Sequence, residues 1–519
     1  MESKGKQKAA PRAKKKILTT ERLIVVIVLL AALGLVGSYV YTLGVINYAW
    51  PYPEQLRFMY NLVTGAPSPH YSLEDDETIV YLTWIDDPSQ TMTVQWVSRD
   101  DTEDSLRYRE TGEEEWSARQ AESVHEMVGA EGKYVHWITL DDLDPDTQYE
   151  FELEEDPQTH LFRTMPDELD AEEEFKVAFA GDSREFPYWF EEITANIGEY
   201  NPHLLVGKGD YVACEGIPSS RNTAKWLYFL KTLEDSLVNE AGEIIPYVLA
   251  MGNHEVDPGY PPEEGDDPNE PEEAEYMHNL FKSPLNMRPE DVFYGSLEFG
   301  DYLQLLVMDS MHTAPVTGSQ AQWLEETIDD NYEHIIPVFH SAVFPTNKDF
   351  YDEWKEDIRQ MWLPSFYENG VRVVMEACDH TYKQTIPLEF ASELPAGIPD
   401  EEDYLQLPDG YLYEGKDGML FFGDGGWGVG IREVYNPATT WYLEEAIGWR
   451  LTEGIETRDG EQITAPGHTD DGKRLENVED ARHFFGVELQ GEKVTVKSIN
   501  YEGEVFRESI YEEQWQSEK

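Results

Sequence analysis

Five short polar segments, each at the end of an apolar run, constrain this chain more than any other feature. Gly181-Asp182-Ser183-Arg184 follows FKVAFA, Gly209-Asp210 follows HLLVGK, and Gly252-Asn253-His254-Glu255 follows PYVLAM. His340 follows IIPVF, and Asp379-His380 follows VRVVMEAC. Short continuous apolar runs are the pattern of strands buried on both faces, which pack in parallel sheets covered by helices. Ligand crevices in such sheets lie outside the carboxyl ends of the strands. The five segments are expected to bring carboxylate, amide and imidazole groups into one crevice, a donor set suited to two metal ions.

The flanking sequence sets the architecture. Residues 74–166 read as short alternating segments between turn signals, TIVYLTW, MTVQWVS, SLRYRE, YVHWITL, TQYEFEL and HLFRTM, without helical periodicity. That predicts a small all-β sandwich. A charged linker, Asp167 to Glu174, leads into residues 175–515, where strands alternate with helical patterns such as Ala224–Leu237 and Ser319–Asp329. The class there is α/β. Phe484–Leu489, Lys493–Asn500 and Glu504–Ile510 read as a closing meander around turns at Gly491 and Gly503. Residues 257–275 are rich in Pro, Gly and acids and are expected to form an exposed loop, either a rim over the crevice or a plain surface insertion. Segments 185–200, 212–224, 257–280 and 345–355 are expected to wall the pocket as loops.

Charge is the outlier of the composition. The 519 residues include 104 acids and 39 bases, a net charge of −65 spread over nearly every loop. A dispersed acidic surface stays soluble where salt screens its self-repulsion, which suggests adaptation to high salt; the alternative is an ordinary acidic extracellular protein. No basic stripe exists to neutralise phosphates along a strand, so a nucleic-acid partner is not expected. A mean hydropathy of −0.55 excludes a polytopic membrane protein.

Basic residues cluster only at the start. Residues 1–22 hold eight Lys/Arg and two acids, and Leu23 to Ile46 follows without a charge. Twenty-four residues make a helix of roughly 36 Å, enough to span a bilayer with some tilt. A secretory signal would have a shorter core and a small-residue cleavage site, whereas this segment runs into Tyr48, Trp50 and Tyr52. Residues 1–22 are then a cytoplasmic head, 23–46 a single transmembrane helix, and 47–73 an external stalk, with the remainder extracellular. Cys214 and Cys378 are the only cysteines, too few for a disulfide scaffold.

In this order the strand-end segments resemble the calcineurin-like metallophosphoesterases, with support from Met308-Asp309-Ser310, Gln322-Trp323-Leu324 and Gly423-Asp424-Gly425-Gly426. The preceding sandwich narrows the resemblance to the purple-acid-phosphatase-like branch. Leu140 to Tyr149 is similar to the L-x-x-L-x-P-x-T-x-Y signature of fibronectin type III domains, and Trp96 sits where that family has its core tryptophan. The resemblance implies a phosphoester substrate and two divalent metal ions of iron, zinc or manganese. It assigns Asp210 as their bridge, Asp182 and His380 to the first ion, and Asn253 and His340 to the second. His254 would act on the leaving group or transition state, and Arg184 on a substrate phosphate. The other histidines, His312 among them, are expected on the surface or in packing.

The chain departs from the family pattern at both ions. Many members carry D-x-H at the first motif, where this chain has Asp182-Ser183-Arg184. The purple branch places a tyrosine three residues after the bridging aspartate, where this chain has Ala213. Tyr211 is nearby, but strand alternation turns it away from Asp210. The last motif, G-H-x-H in the family, reads Ala377-Cys378-Asp379-His380, and Lys383-Gln384 replaces Glu-Arg. Three readings of Cys378 stand open: a thiolate ligand to the second ion, a buried thiol, or a disulfide to Cys214. The expected function is an outward-facing, membrane-anchored phosphoesterase. The alternative is a divergent pseudoenzyme acting as a surface binding module, and a purely adhesive module would leave the six retained site residues without a role.

Overall fold

The computed structural model describes residues 78–99, 105–154, 158–170, 172–184, 187–214, 216–256, 274–282, 293–348, 350–395, 404–423, 425–432, 442–447, 455–456, 462–463, 482–512 and 514–518. The basic head, the span 23–46, the stalk and residues 257–273 of the acidic loop lie outside them. Among the described residues no helix is long and apolar enough to cross a membrane.

Residues 79–163 form a sandwich of two four-stranded antiparallel sheets. One runs in the order Ile79–Thr83, Met92–Ser98, Tyr134–Leu140, Ser123–Glu126; the other runs Ser117–Gln120, Ser105–Glu110, Gln148–Leu153, His160–Arg163. Strand Gln148–Leu153 buries every second residue, as a sheet with one wet face should. Met92–Ser98 is buried throughout. The first sheet's outer face is covered by the phosphoesterase domain: Val80 N–H donates to Glu234 at 2.8 Å and Tyr81 OH to Leu280 O at 2.5 Å. Trp96 is buried and stacks on His136 with ring centroids 4.8 Å apart. Tyr149 OH accepts the Asp144 N–H at 2.9 Å, the tyrosine-corner contact that fixes the crossing between sheets.

Two seven-stranded sheets make the second domain. In the first, parallel strands Tyr247–Leu249, Leu204–Gly207 and Phe175–Ala180 continue into the antiparallel meander His483–Gln490, Lys493–Asn500, Val505–Tyr511 and Trp515–Glu518. The second is centred on parallel strands Leu303–Val307, His334–Val338, Val373–Met375 and Leu420–Gly423. All five strands that precede the polar segments are buried, with Lys176 alone partly exposed.

Helices flank the sheets. Ser220–Ser236 begins four residues before its apolar pattern does, because Ser219 caps it by accepting the Asn222 N–H. Its buried face carries Thr223, Trp226, Leu227, Leu230 and Leu233 at helical spacing. Pro187–Tyr200, expected as a loop, is a helix whose Phe190, Ile193 and Ile197 are buried. Its apolar residues recur at three- and four-residue intervals, which is the helical signal.

Candidate metal centre

The polar segments leave three strand ends of one sheet and two of the other, and they meet where these edges converge. Asp182, Asp210, Cys378 and His380 all have left-handed backbone, with φ of 61°, 60°, 80° and 56°. For non-glycine residues this costs on the order of 1 kcal/mol each, and such strain gathers where side chains must turn sharply into a site. Two glycines make room. Gly209 has φ of 90°, and a Cβ there would lie 2.7 Å from His340 Nδ1; a Cβ on Gly425 would collide with the Asp182 carboxylate.

Asp210 is the hub. Its Oδ1 lies 3.3 Å from His340 Nε2 and accepts the His254 N–H at 2.9 Å, while its Oδ2 lies 3.1 Å from Arg184 Nη1. Asp182 Oδ1 lies 3.1 Å from His380 Nε2, and its Oδ2 accepts the Cys378 N–H at 2.9 Å. Ligand atoms of Asp182, Asp210 and His340 all fall within 4.8 Å of one another, and all three residues are buried. His340 donates Nδ1–H to Lys208 O at 2.8 Å, which turns Nε2 toward the crevice as metal-binding histidines require. Cys378 Sγ lies 3.9 Å from Asn253 Oδ1 and 2.6 Å from Lys348 Nζ. The imidazole of His254 is partly exposed at the rim, its Nε2 3.9 Å from Asp210 Oδ2.

Electrostatics follow from this crowding. Burial alone would raise the Asp210 and Asp182 carboxyls. For Asp210 the charges of His340 and Arg184 outweigh burial, for Asp182 that of His380 does, and both stay below the usual range. Burial likewise opposes ionisation of Cys378, but Lys348 and His340 bring its thiol below the ordinary value. Burial would deprotonate His340, yet Asp210 and Cys378 hold its pKa well above normal. Burial lowers His380, against the pull of Asp182.

All eight candidate residues therefore converge, and one of the three readings of Cys378 closes. Both cysteines are free and buried, so the Cys214–Cys378 disulfide is not formed; Cys214 Sγ points to His254 O at 3.6 Å. Arg184 spends its fork inside the crevice, with Nη2 3.0 Å from His380 Nε2 as well as Nη1 on Asp210. Tyr211 turns away as expected, although the left-handed backbone at Gly209 and Asp210, not strand alternation, sets its direction. Its hydroxyl donates to Ala250 O and accepts the Gly209 N–H, both at 2.8 Å.

Sequence reading gave no role to several residues that shape the site. Glu255 accepts the N–H groups of Asp210, Tyr211 and Gly252 at 2.8, 2.8 and 3.0 Å, tying two site loops together. Burial and the Asp210 charge push its carboxyl up to about 8. Asp379 accepts from Thr346 Oγ1 at 3.0 Å and Asn347 N at 3.2 Å, fixing the loop that delivers Lys348. His312, expected in packing or on the surface, is buried with its ring 5.7 Å from that of His340. A signal for Glu255 was present, since a carboxylate directly after Asn-His can accept the N–H groups of its own turn. The Lys383-Gln384 departure is absorbed by packing. Lys383 pairs with Glu376, both fully buried, and its Nζ also donates to Phe344 O at 2.8 Å.

Residues 78–164 match the family model of the purple acid phosphatase N-terminal domain, and residues 175–377 that of the calcineurin-like phosphoesterases. The second match ends one residue before Cys378. The Fe(3+)-Zn(2+) purple acid phosphatase 12 of Arabidopsis thaliana is 23% identical over 357 residues, 64% of this chain and 73% of the relative. The structure of purple acid phosphatase PPD1 from yellow lupin (Lupinus luteus) seeds matches at a TM-score of 0.55 and 15% identity, covering 83% of this chain and 74% of that one, a likeness of fold. With both domains in the same order and a buried Asp/His group at their strand ends, the chain belongs to the purple-acid-phosphatase-like metallophosphoesterases, a family of hydrolases.

Proposed function

We propose that this chain hydrolyses phosphate mono- or diesters at the crevice of Asp182, Asp210, Asn253, His340, Cys378 and His380, on the outer side of a membrane that residues 23–46 cross. The observation that carries the reading is the convergence of Asp182, Asp210 and His340 ligand atoms within 4.8 Å in a buried pocket. The family pattern of two divalent ions divides the side chains into two sets that share Asp210: Asp182 and His380 for one, and Asn253, His340 and Cys378 for the other.

The second set fits a borderline ion such as zinc, which accepts thiolate, imidazole and oxygen donors. Zinc bonds of about 2.0–2.3 Å imply tetrahedral edges of roughly 3.3–3.8 Å. The pairs His340–Asp210 at 3.3 Å and Cys378–Asn253 at 3.9 Å come close to that. The first set also holds the Arg184 guanidinium. A bound divalent ion supplies Lewis acidity toward the phosphoryl group and the attacking water.

The protein's own groups supply the rest. His254, at the rim beside Asp210, gives a proton to the departing oxygen. Arg184 offers its planar fork and permanent charge to a phosphoryl oxygen. The basic head and the apolar segment after it support anchoring with the catalytic body outside. The net charge of −65 supports a working environment of high salt.

The test is turnover of an aryl phosphate and a bis-aryl phosphate by the full chain in detergent and high salt, before and after chelation. Activity lost on chelation and restored by Zn²⁺, Mn²⁺ or Fe²⁺ supports the reading. A folded protein that binds no metal and turns over neither ester would leave the alternative, a surface binding module.

A further inference from the structure

We propose that the guanidinium of Arg184 takes the place of the first metal ion, so that the site uses one divalent ion, at Asp210, Asn253, His340 and Cys378, beside one fixed organic cation. This rests on the metallophosphoesterase reading and names what that reading leaves undivided.

Arg184 contacts two of the three groups the first ion would need. Its Nη1 is 3.1 Å from Asp210 Oδ2, and its Nη2 is 3.0 Å from His380 Nε2. Guanidinium can only donate, so His380 Nε2 must present its lone pair to it. That same nitrogen lies 3.1 Å from Asp182 Oδ1. An unprotonated ring nitrogen and a carboxylate oxygen repel at that distance unless a cation lies near, and Arg184 is the cation against the His380 nitrogen. The His380 lone pair directed at an Arg184 N–H is not available to a metal, while Asp210 meets the same guanidinium as an ion pair.

Burial makes the position hard to leave. The Arg184 side chain is 6% exposed and its partner Asp210 is 1% exposed. A buried guanidinium must stay paired, and removing one partner of such a pair costs far more than the pair is worth in isolation.

The departures from the family pattern fall on the first ion's side of the site. Position 184, the last of the D-x-H motif in many members, holds a cation here rather than an imidazole donor. Position 213, a tyrosine in the purple branch, is Ala213. Tyr211 cannot substitute, because its hydroxyl is bound to Ala250 O and Gly209 N. What remains for a first ion is Asp182, His380 and a shared Asp210, with Arg184 on two of the three. The residues present do not fit that ion. They fit a guanidinium, which brings permanent charge and donors to a phosphoryl oxygen but no Lewis acidity.

The experiment counts metal. Full chain in detergent and high salt is stripped with chelator, reloaded with Zn²⁺ or Co²⁺, freed of excess and analysed for metal per chain. One ion per chain is expected for the wild type and for Arg184→Lys, and two for Arg184→His, which puts an imidazole where D-x-H has it. The Co²⁺ form of the wild type should carry a thiolate charge-transfer band that Cys378→Ser removes. Two ions in the wild type or in Arg184→Lys would overturn the proposal and leave the metallophosphoesterase reading standing. One ion in an Arg184→His protein with wild-type circular dichroism would also overturn it. No ion in any form defeats the underlying reading.

Discussion

The ammonium of Lys348 lies 2.6 Å from the sulfur of Cys378, across 30 residues of sequence. Burial disfavours the thiolate, yet Lys348 and His340 together hold the thiol below its ordinary range. Cys214 is the internal control, since burial pushes it up to about 12. Titrating the chelated protein by thiolate ultraviolet absorbance should give one cysteine ionising early and one staying silent. Lys348→Met should move the early midpoint upward by about one unit or more, as loss of a close opposite charge does. An unmoved midpoint would show that the ammonium does not support the thiolate.

Asp210 lies within 3.3 Å of both a histidine expected at the second ion and the guanidinium on the first side. Asp210→Asn keeps its volume and removes its charge. Metal affinity should fall by at least about 100-fold, beyond what loss of an outer-shell partner costs. Arg184, deprived of its carboxylate, should become susceptible to arginine-selective modification. Competition with a metal-sensitive dye reads the first effect and peptide mapping the second. Undiminished affinity would remove Asp210 from the metal set.

The strand ends were legible in the sequence because a doubly buried strand leaves a continuous apolar run, and the residue after it must turn. Asp182, Asp210, Asn253, His340 and His380 stand at those ends, and the family resemblance singled them out as ligands. The sandwich was legible from alternation, which Met92–Ser98 keeps in its sequence although all its residues are buried. What the sequence could not carry is direction and distance. Nothing in the residue type says whether the fork of Arg184 points outward to substrate or inward to His380. Lys348 reaches Cys378 from a separate loop, and Lys383 finds Glu376 seven residues away on a buried strand. Those pairings are tertiary, and single-sequence reasoning has no term for them.

Glu255 should behave as a positioning residue. Its carboxylate collects three backbone N–H groups from the two loops that carry Asp210 and Asn253. In Glu255→Gln one acceptor oxygen becomes a donor facing those groups. Leaving one or two buried N–H groups unsatisfied costs about 1–3 kcal/mol each. Unfolding in urea should show roughly 2–4 kcal/mol of lost stability, with metal affinity weakened about 10–100-fold as for other outer-shell changes. Stability equal to wild type would show that water replaces the carboxylate.

His254 sits at the rim with its side chain 19% exposed, against 1% for Asp210 and 0% for His340. If it protonates the leaving group, His254→Ala should lower kcat by about 10²–10⁴ for an alkyl ester and much less for an aryl ester whose leaving group needs no proton. KM and metal content should change little. An equal loss for both esters would mean that His254 binds substrate instead.

Acid stability should be governed by two histidines far from the crevice. His203 Nδ1 accepts the Lys176 N–H at 3.0 Å, so protonation there would break a bond inside the core. His334 donates Nε2–H to Gly491 O at 2.8 Å, and burial takes its pKa from 6.5 down to about 4. Burial lowers His203 as well. Because the folded pKa lies below the unfolded one, the unfolded chain binds more protons between these values, and stability rises with pH there. The contribution is fully present above pH 6.5 and is lost as pH falls through about 4. For His334 alone the window corresponds to up to about 3 kcal/mol. Urea unfolding at constant high salt across this range should give a slope that His334→Gln and His203→Gln each flatten. If both variants keep the wild-type slope, other groups set the acid limit, and the carboxylates of the crevice become the first to test.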